Sequence, residues 1–322
     1  MSISFKRTLE CALEAPRNIP ARDLAGMLSC NDKSVVADLF AAANEVSKKC
    51  SKVLLKRALI EFSNICSRDC YYCGIRKSSP LINRYHMTIE ELLKVSEEAK
   101  EEGFTAIALQ GGEIESEANT AFVEEFLSRV DIPEITLSLG EQTTDVYKRW
   151  KDAAKGKLLR YLLRIETSST ELFSKIHPPE ASFNKRLGAI RKLKSLDYIT
   201  GSGVMIGLPG QAIDDLANDI VFFGDEKLDM VGMGPYIPCD STPLQAPTFS
   251  SQERLELSLK MIALTRLYLW DVNIVSSTAL EVLSSGARDI ALRVGANVIM
   301  PNFTPNKYRL EYQLYPGKQQ IK

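Results

Sequence analysis

Three of the seven cysteines fall within eight residues, in Cys66-Ser-Arg-Asp-Cys70-Tyr-Tyr-Cys73. Thiols clustered at this spacing in a reducing compartment are metal ligands. Cys11, Cys30, Cys50 and Cys239 stand alone and read as small buried hydrophobes. The odd count, and an N-terminus carrying Lys6, Arg7 and Glu10 that does not read as a signal peptide, argue against a secreted disulfide framework and for a cytoplasmic protein. A structural zinc site needs four ligands, and the nearest histidine, His86, would have to complete a Cys3His set. A [4Fe–4S] cluster also takes four ligands as a rule, so three thiolates leave one iron open to an external molecule. An open iron is a place where a cofactor can bind and be reduced.

The rest of the composition is that of an ordinary globular protein: 322 residues, 45% hydrophobic and 25% charged. With 40 basic against 41 acidic residues there is no bulk field to recruit nucleic acid or anionic lipid. No apolar run approaches the roughly 18–20 residues that a bilayer demands. Neither a nucleic acid nor a membrane is therefore expected as a partner.

The elements that must position the cysteines emerge from periodicity. Residues 1–55 carry helical patterns: a capped stretch opening near Ser4, a second from Ala21, and a third from Ser34 to about Ser51. They form an N-terminal extension, expected to pack against the bottom of the domain formed by residues 56–322 and to carry no chemistry. Residues 56–322 alternate short β-rich runs with amphipathic segments. The expected strands are Ala58–Ser63, Ala106–Gln110, Glu134–Leu139, Arg160–Glu166, Gly203–Ile206, Met230–Gly234, Val272–Val275 and Asn297–Met300. Eight strands with helical crossovers over about 250 residues predict an α/β fold, a (β/α)8 TIM-type barrel, over an open doubly wound sheet. In such barrels the chemistry sits at the C-terminal ends of the strands. The cysteines, Gln110-Gly111-Gly112-Glu113, Ser138, Arg164 with Glu166, and Met300 all fall at that rim.

The spacing Cys-x3-Cys-x2-Cys, with Tyr72 just before the last cysteine, resembles the signature of the radical S-adenosylmethionine (SAM) superfamily. The resemblance implies one [4Fe–4S] cluster held by Cys66, Cys70 and Cys73. Its open iron would chelate the amino and carboxylate groups of SAM, and an electron would cleave SAM to a 5′-deoxyadenosyl radical that attacks substrate. It also implies Tyr72 near the adenine and the Gly111-Gly112-Glu113 backbone at the methionine amino group. Arg57–Asn64, Tyr161–Thr167, Gly207-Leu-Pro-Gly210-Gln211, Asp229–Pro235, Gly295–Asn302 and Tyr312–Gly317 are together similar to the HydE/PylB/HmdB-like subfamily. Within it, the Gly-Leu-Pro-Gly-Gln run and the Met-Pro-Asn end resemble the [FeFe]-hydrogenase maturases HydE more than methylornithine synthases.

Strand four is the most informative element. Alternation puts Arg160, Leu162, Arg164 and Glu166 on one face, and buried charges must be paired or engaged by ligand. An Arg164–Glu166 structural pair is one reading. The subfamily resemblance implies another, with Glu166 on SAM, Arg164 on a substrate carboxylate, and Arg186 on the SAM carboxylate. It also implies Ser138, Ser277, Thr278 and Tyr312 as pocket positions for small anions, Gln110 and Met300 as cavity lining, and a reduced flavodoxin or ferredoxin as electron donor. His177 reads as structural, outside the rim. Three departures from the subfamily stand out: Ile165 where histidine is usual, Ile114-Glu115-Ser116 after strand two, and no cysteine beyond Cys239. One cluster is therefore expected. The reading is a monomeric radical SAM enzyme acting on a small carboxylate-bearing, possibly sulfur-containing substrate in a HydE-like maturase role. The alternatives are a PylB-like rearrangement of an amino acid, a zinc-stabilised binding protein, and an iron–sulfur electron carrier, which would have no need of a large barrel.

Overall fold

A computed structural model describes residues 3–80, 82–244 and 246–318. Three helices come first: α1 (Ile3–Glu14), α2 (Ala21–Ser29) and α3 (Lys33–Lys49). The side chain of Ser4, the expected cap, lies outside the described residues. Asp32 caps α3 by accepting from Ser34 N at 2.9 Å. Next come β1 (Leu55–Lys56), β2 (Ala58–Ser63), α4 (Ile89–Glu101), β3 (Ala106–Gly111), α5 (Glu117–Arg129), β4 (Glu134–Ser138), α6 (Thr144–Ala153) and β5 (Leu158–Leu162). The chain continues through α7 (Thr170–Ile176), α8 (Phe183–Ser195), β6 (Ile199–Ile206), α9 (Ile213–Asp225), β7 (Met230–Pro235) and α10 (Ser251–Leu269). It ends with β8 (Asn273–Ser276), α11 (Thr278–Leu283), α12 (Ala287–Arg293), β9 (Val298–Ile299) and α13 (Asn306–Arg309).

All nine strands pair in parallel, in the order β1-β9-β8-β7-β6-β5-β4-β3-β2. β1 and β2 are two pieces of one strand interrupted at Arg57, whose N–H still donates to Ile299 O at 3.0 Å. That strand pairs with β3 on one side and β9 on the other. The seam is tightened where Leu59 N donates to Pro301 O and accepts at its carbonyl from Phe303 N, both at 2.8 Å. The ring is thus the expected barrel, with the hydrophobic core filling the space between strands and outer helices. The N-terminal helices clasp the outer layer rather than the barrel floor: α2 packs on α9 and α3 on α10. Their Leu24, Leu28, Leu39 and Val46 join the same core as Leu264 and Leu267.

The seven other expected strands lie where periodicity put them, within a few residues. Strand four does not. β5 ends at Leu162, and Glu166 has left-handed backbone, φ +68°. Simple alternation therefore cannot carry from Arg160 to Glu166. Arg160 sits at the opposite end of the barrel, with Nη1 on Glu134 Oε2 at 2.8 Å. The irregular turn is anchored from α9: Ser168 N and Oγ both donate to the fully buried Asp219 carboxylate at 2.6 Å.

Candidate active site

A cavity of about 330 Å³ opens at the C-terminal ends of the strands. Every residue picked out above for cluster, cofactor or substrate lines it: Cys66, Cys70, Tyr72 and Cys73 after β2; Gln110, Gly111, Gly112 and Glu113 at β3; Ser138 at β4; Arg164 and Glu166 after β5; Arg186 from α8; Ser277, Thr278 and Met300 after β8 and β9; and Tyr312.

The cysteine loop is held by backbone contacts from three directions. Tyr71 N donates to Ile176 O at 3.0 Å, Leu244 N to Tyr71 O at 3.1 Å, and Gly74 N to Leu314 O at 2.9 Å. Asn64 ties the ends of the loop, donating to Asn83 O and Glu311 O and accepting from Tyr85 N. Arg84 fills its centre, donating to the carbonyls of Asn64, Ile75 and Arg76. Burial raises all three thiols, Cys70 to about 12 and Cys73 well above the ordinary value. Such sulfurs become thiolates only when positive charge arrives beside them. Among the described residues no three His, Cys, Asp or Glu side chains converge on one metal ion. His86 is not in the cavity: its Nδ1 meets Met87 O at 2.8 Å and its ring packs edge-on to Phe62 and Phe122. The Cys3His zinc site thus lacks its fourth ligand.

Glycine makes the adjoining cradle possible. A Cβ on Gly112 would lie 2.1 Å from Ile65 O and 2.7 Å from Cys66 Cβ, so only glycine lets β3 lie against the cysteine loop. Glu113 ties this junction together. Its carbonyl accepts from Ser67 N and Oγ, and its carboxylate takes Arg68 Nε and Glu141 N. Burial raises its pKa in spite of these partners.

Arg186 crosses the cavity wall, with Nε on Glu141 Oε1 at 2.5 Å and Nη1 on Arg164 O at 2.9 Å. A guanidinium has five N–H donors, so three remain. Arg164 is more fully spent: Nε and Nη2 bind Glu166, Nη2 also Val204 O, and Nη1 Gly232 O. Burial works against its charge, but Glu166 raises its pKa overall. The structural pair is therefore formed, leaving Arg164 one free N–H.

His177 lies just outside the cavity lining, as the sequence suggested, yet supports it directly. Its Nδ1 is 2.9 Å from Phe173 O and its Nε2 is 3.4 Å from Tyr72 OH. Burial lowers its pKa to about 4, so the ring is neutral at physiological pH. Nδ1–H then donates to the carbonyl, and Nε2 accepts the Tyr72 hydroxyl.

On the far wall, Thr278 Oγ1 and Tyr315 OH are 2.7 Å apart, while the buried Ser277 Oγ has no partner. Tyr312 is 1% exposed. Two residues here went unread in the sequence: Glu61 on β2 and Lys318, which form a buried ion pair. A glutamate inside Ala-Leu-Ile-Glu61-Phe was the available signal, by the same buried-charge argument applied to strand four.

A closed parallel barrel with three clustered cysteines at its rim defines a class. The radical SAM superfamily profile matches residues 60–223, and the chain belongs to that superfamily. It is an enzyme that uses a [4Fe–4S] cluster and SAM. Among proteins of known role, it is 44% identical over 299 residues to the [FeFe] hydrogenase maturase subunit HydE of Thermotoga maritima, covering 90% of this chain and 82% of that one. It is 27% identical to a 3-methylornithine synthase of Methanosarcina barkeri over 88% of this chain and 79% of that one. The crystal structure of methylornithine synthase (PylB) shares the fold, with a TM-score of 0.77, 23% identity, and coverage of 91% of this chain and 85% of that one. The residues fit both cofactors: three half-buried thiols on one clamped loop, a glycine cradle beside it, and an arginine with unused donors. Among the described residues, no helix is long and apolar enough to cross a membrane.

Proposed function

We propose that this chain is a HydE-type maturase that acts on a small, carboxylate-bearing molecule enclosed in the barrel. The 44% identity to the Thermotoga maritima HydE along nearly the whole chain carries this reading. In it, Cys66, Cys70 and Cys73 hold the cluster. Tyr72, the Gly111–Glu113 backbone, Ser138, Glu166 and Arg186 hold SAM. Arg164, Ser277, Thr278, Met300 and Tyr312 face substrate, with Gln110 lining the space between. The bound pair supplies the one-electron cleavage of SAM. The three unused N–H groups of Arg186 suit a carboxylate, and His177 keeps Tyr72 in place by accepting its hydroxyl proton. Glu166 and Arg164 neutralise each other, so a charged ligand meets a fixed dipole rather than a bare charge. The fold's apolar rim residues, Leu59, Ile75 and Leu162, keep bulk water from the reacting space. The reading includes a flavodoxin- or ferredoxin-type electron donor and a monomeric, cytoplasmic enzyme.

Anaerobic reconstitution is expected to load about four irons per chain and to give SAM-dependent 5′-deoxyadenosine on reduction. The maturase role is tested by expressing the chain in a host whose own HydE is deleted and measuring [FeFe]-hydrogenase activity. Deoxyadenosine without restored hydrogenase would overturn the maturase assignment and leave the superfamily chemistry standing.

A further inference from the structure

We infer that Lys318 is the residue that anchors the anionic group of the substrate, an inference that rests on the proposed action on a small carboxylate. Its place in the cavity, away from the cysteine loop, singles it out. Four cations line the cavity: Arg68, Arg164, Arg186 and Lys318. Arg68 is committed to Glu113 and Glu115 beside the cysteine loop. Arg186 lies behind that loop on Glu141. Arg164 has one N–H left after Glu166 and two carbonyls.

Lys318 is placed and equipped differently. Its side chain is 6% exposed and its partner Glu61 1%. An ammonium removed from water needs acceptors for three N–H groups. The structure supplies the Glu61 carboxylate and, at 5.0 Å, the face of the Tyr312 ring. The other two donors have no oxygen or nitrogen partner among the described residues. Glu61 has further partners: Asn302 Nδ2 at 3.1 Å and Thr304 Oγ1 at 3.4 Å both reach its Oε2. The pair therefore presents two spare donors on the ammonium.

The same wall carries a second unused polar group. Ser277 Oγ is buried without a partner and sits over Gly234, where a Cβ would come within 2.3 Å of it. An unpaired buried hydroxyl is unfavourable unless a ligand meets it. Tyr315, whose hydroxyl is bonded to Thr278, and Tyr312 complete the enclosure. An ammonium with two free N–H groups, a free hydroxyl and two aromatic faces form a receptor for a carboxylate on a short carbon chain. Arg164 then polarises the cavity through its pair with Glu166.

The test uses reconstituted holoenzyme with SAM bound, and propionate as the probe. Replacing Lys318 alone would strand the Glu61 carboxylate, so the informative variant is the double one, E61Q/K318M, with E61Q/K318R as the conservative control. Propionate affinity by titration calorimetry is expected to fall about tenfold or more in E61Q/K318M and to be retained in E61Q/K318R. Bromide soaked into wild-type crystals is expected within hydrogen-bond reach of Lys318 Nζ and Ser277 Oγ. Thermal melting of each variant separates binding loss from unfolding. The inference is overturned if E61Q/K318M keeps wild-type propionate affinity, if bromide occupies Arg164 instead, or if wild-type enzyme binds neither probe at this wall. Failure of the underlying enzymatic reading shows separately, as wild-type protein that makes no deoxyadenosine.

Discussion

The two walls of the cavity are built on different plans. From β2 through β4 to α8, contact is made with backbone: a clamped cysteine loop, a glycine cradle, and carboxylates such as Glu113 and Glu141 locking loops to one another. From β8 to Lys318 it is made with side chains: hydroxyls, aromatic rings and one ammonium. The superfamily profile covers residues 60–223, which includes the first wall and stops short of the second. A backbone cradle suits a cofactor that is the same in every enzyme of the superfamily, because the geometry survives side-chain change. A side-chain wall suits what differs between them.

The sharpest way to break this contrast is at the sulfurs. Cys70→Ala is expected to reduce iron from about four per chain to near zero and deoxyadenosine below detection, measured by iron assay and chromatography after reconstitution. The glycines come next. In Gly112→Ala the new methyl meets backbone, Ile65 O at 2.1 Å. It is expected to cost about 1–3 kcal/mol and to abolish SAM-dependent cleavage. In Gly234→Ala the methyl meets the tip of Ser277, which can rotate away. There melting temperature should barely move and only substrate-side binding should weaken. Equal damage from the two substitutions would remove the distinction between the walls.

Arg164→Leu should abolish substrate turnover while uncoupled SAM cleavage persists, checked by following deoxyadenosine and product together. Collapse of the fold in this variant would show that the Arg164–Glu166 pair is structural. The smallest effect is pH-dependent. His177 titrates near 4 in the folded chain, below its ordinary 6.5. The unfolded chain therefore takes up its proton first, so stability from the neutral ring is complete above about 6.5 and is lost as pH falls toward 4, by up to about 3 kcal/mol. Asp219 opposes it: burial raises its pKa to about 7, so its contribution is complete below about 4 and declines as pH rises through 7. Denaturant melts of His177→Gln are expected to lose the acid-side slope, and those of Asp219→Asn the neutral-side slope.

How much of this was legible depends on the range of the interactions. The barrel was readable because strand and helix periodicities are local, and the cysteines because their spacing is. The end of strand four was not. Its left-handed Glu166 belongs to a turn fixed by Ser168 on Asp219, 51 residues away. Alternation nevertheless named the two charged side chains that reach the cavity, Arg164 and Glu166, for a reason that does not hold along the backbone. The consumption of Arg164 donors by Gly232 and Val204 carbonyls needs three strands in register and leaves no trace in sequence. Lys318, in Gly317-Lys-Gln-Gln, looks like a solvated charge until β2 places Glu61 beneath it.

The clamp on the cysteine loop also sets an order of events during synthesis. Cys66, Cys70 and Cys73 leave the ribosome early, but the backbone partners of their neighbours Tyr71 and Gly74 are Ile176, Leu244 and finally Leu314. Until the last of these emerges, the loop lacks its third restraint and its thiols lack their full burial. Once the Gly74–Leu314 bond forms, the C-terminal segment holds the cysteine loop in its final place.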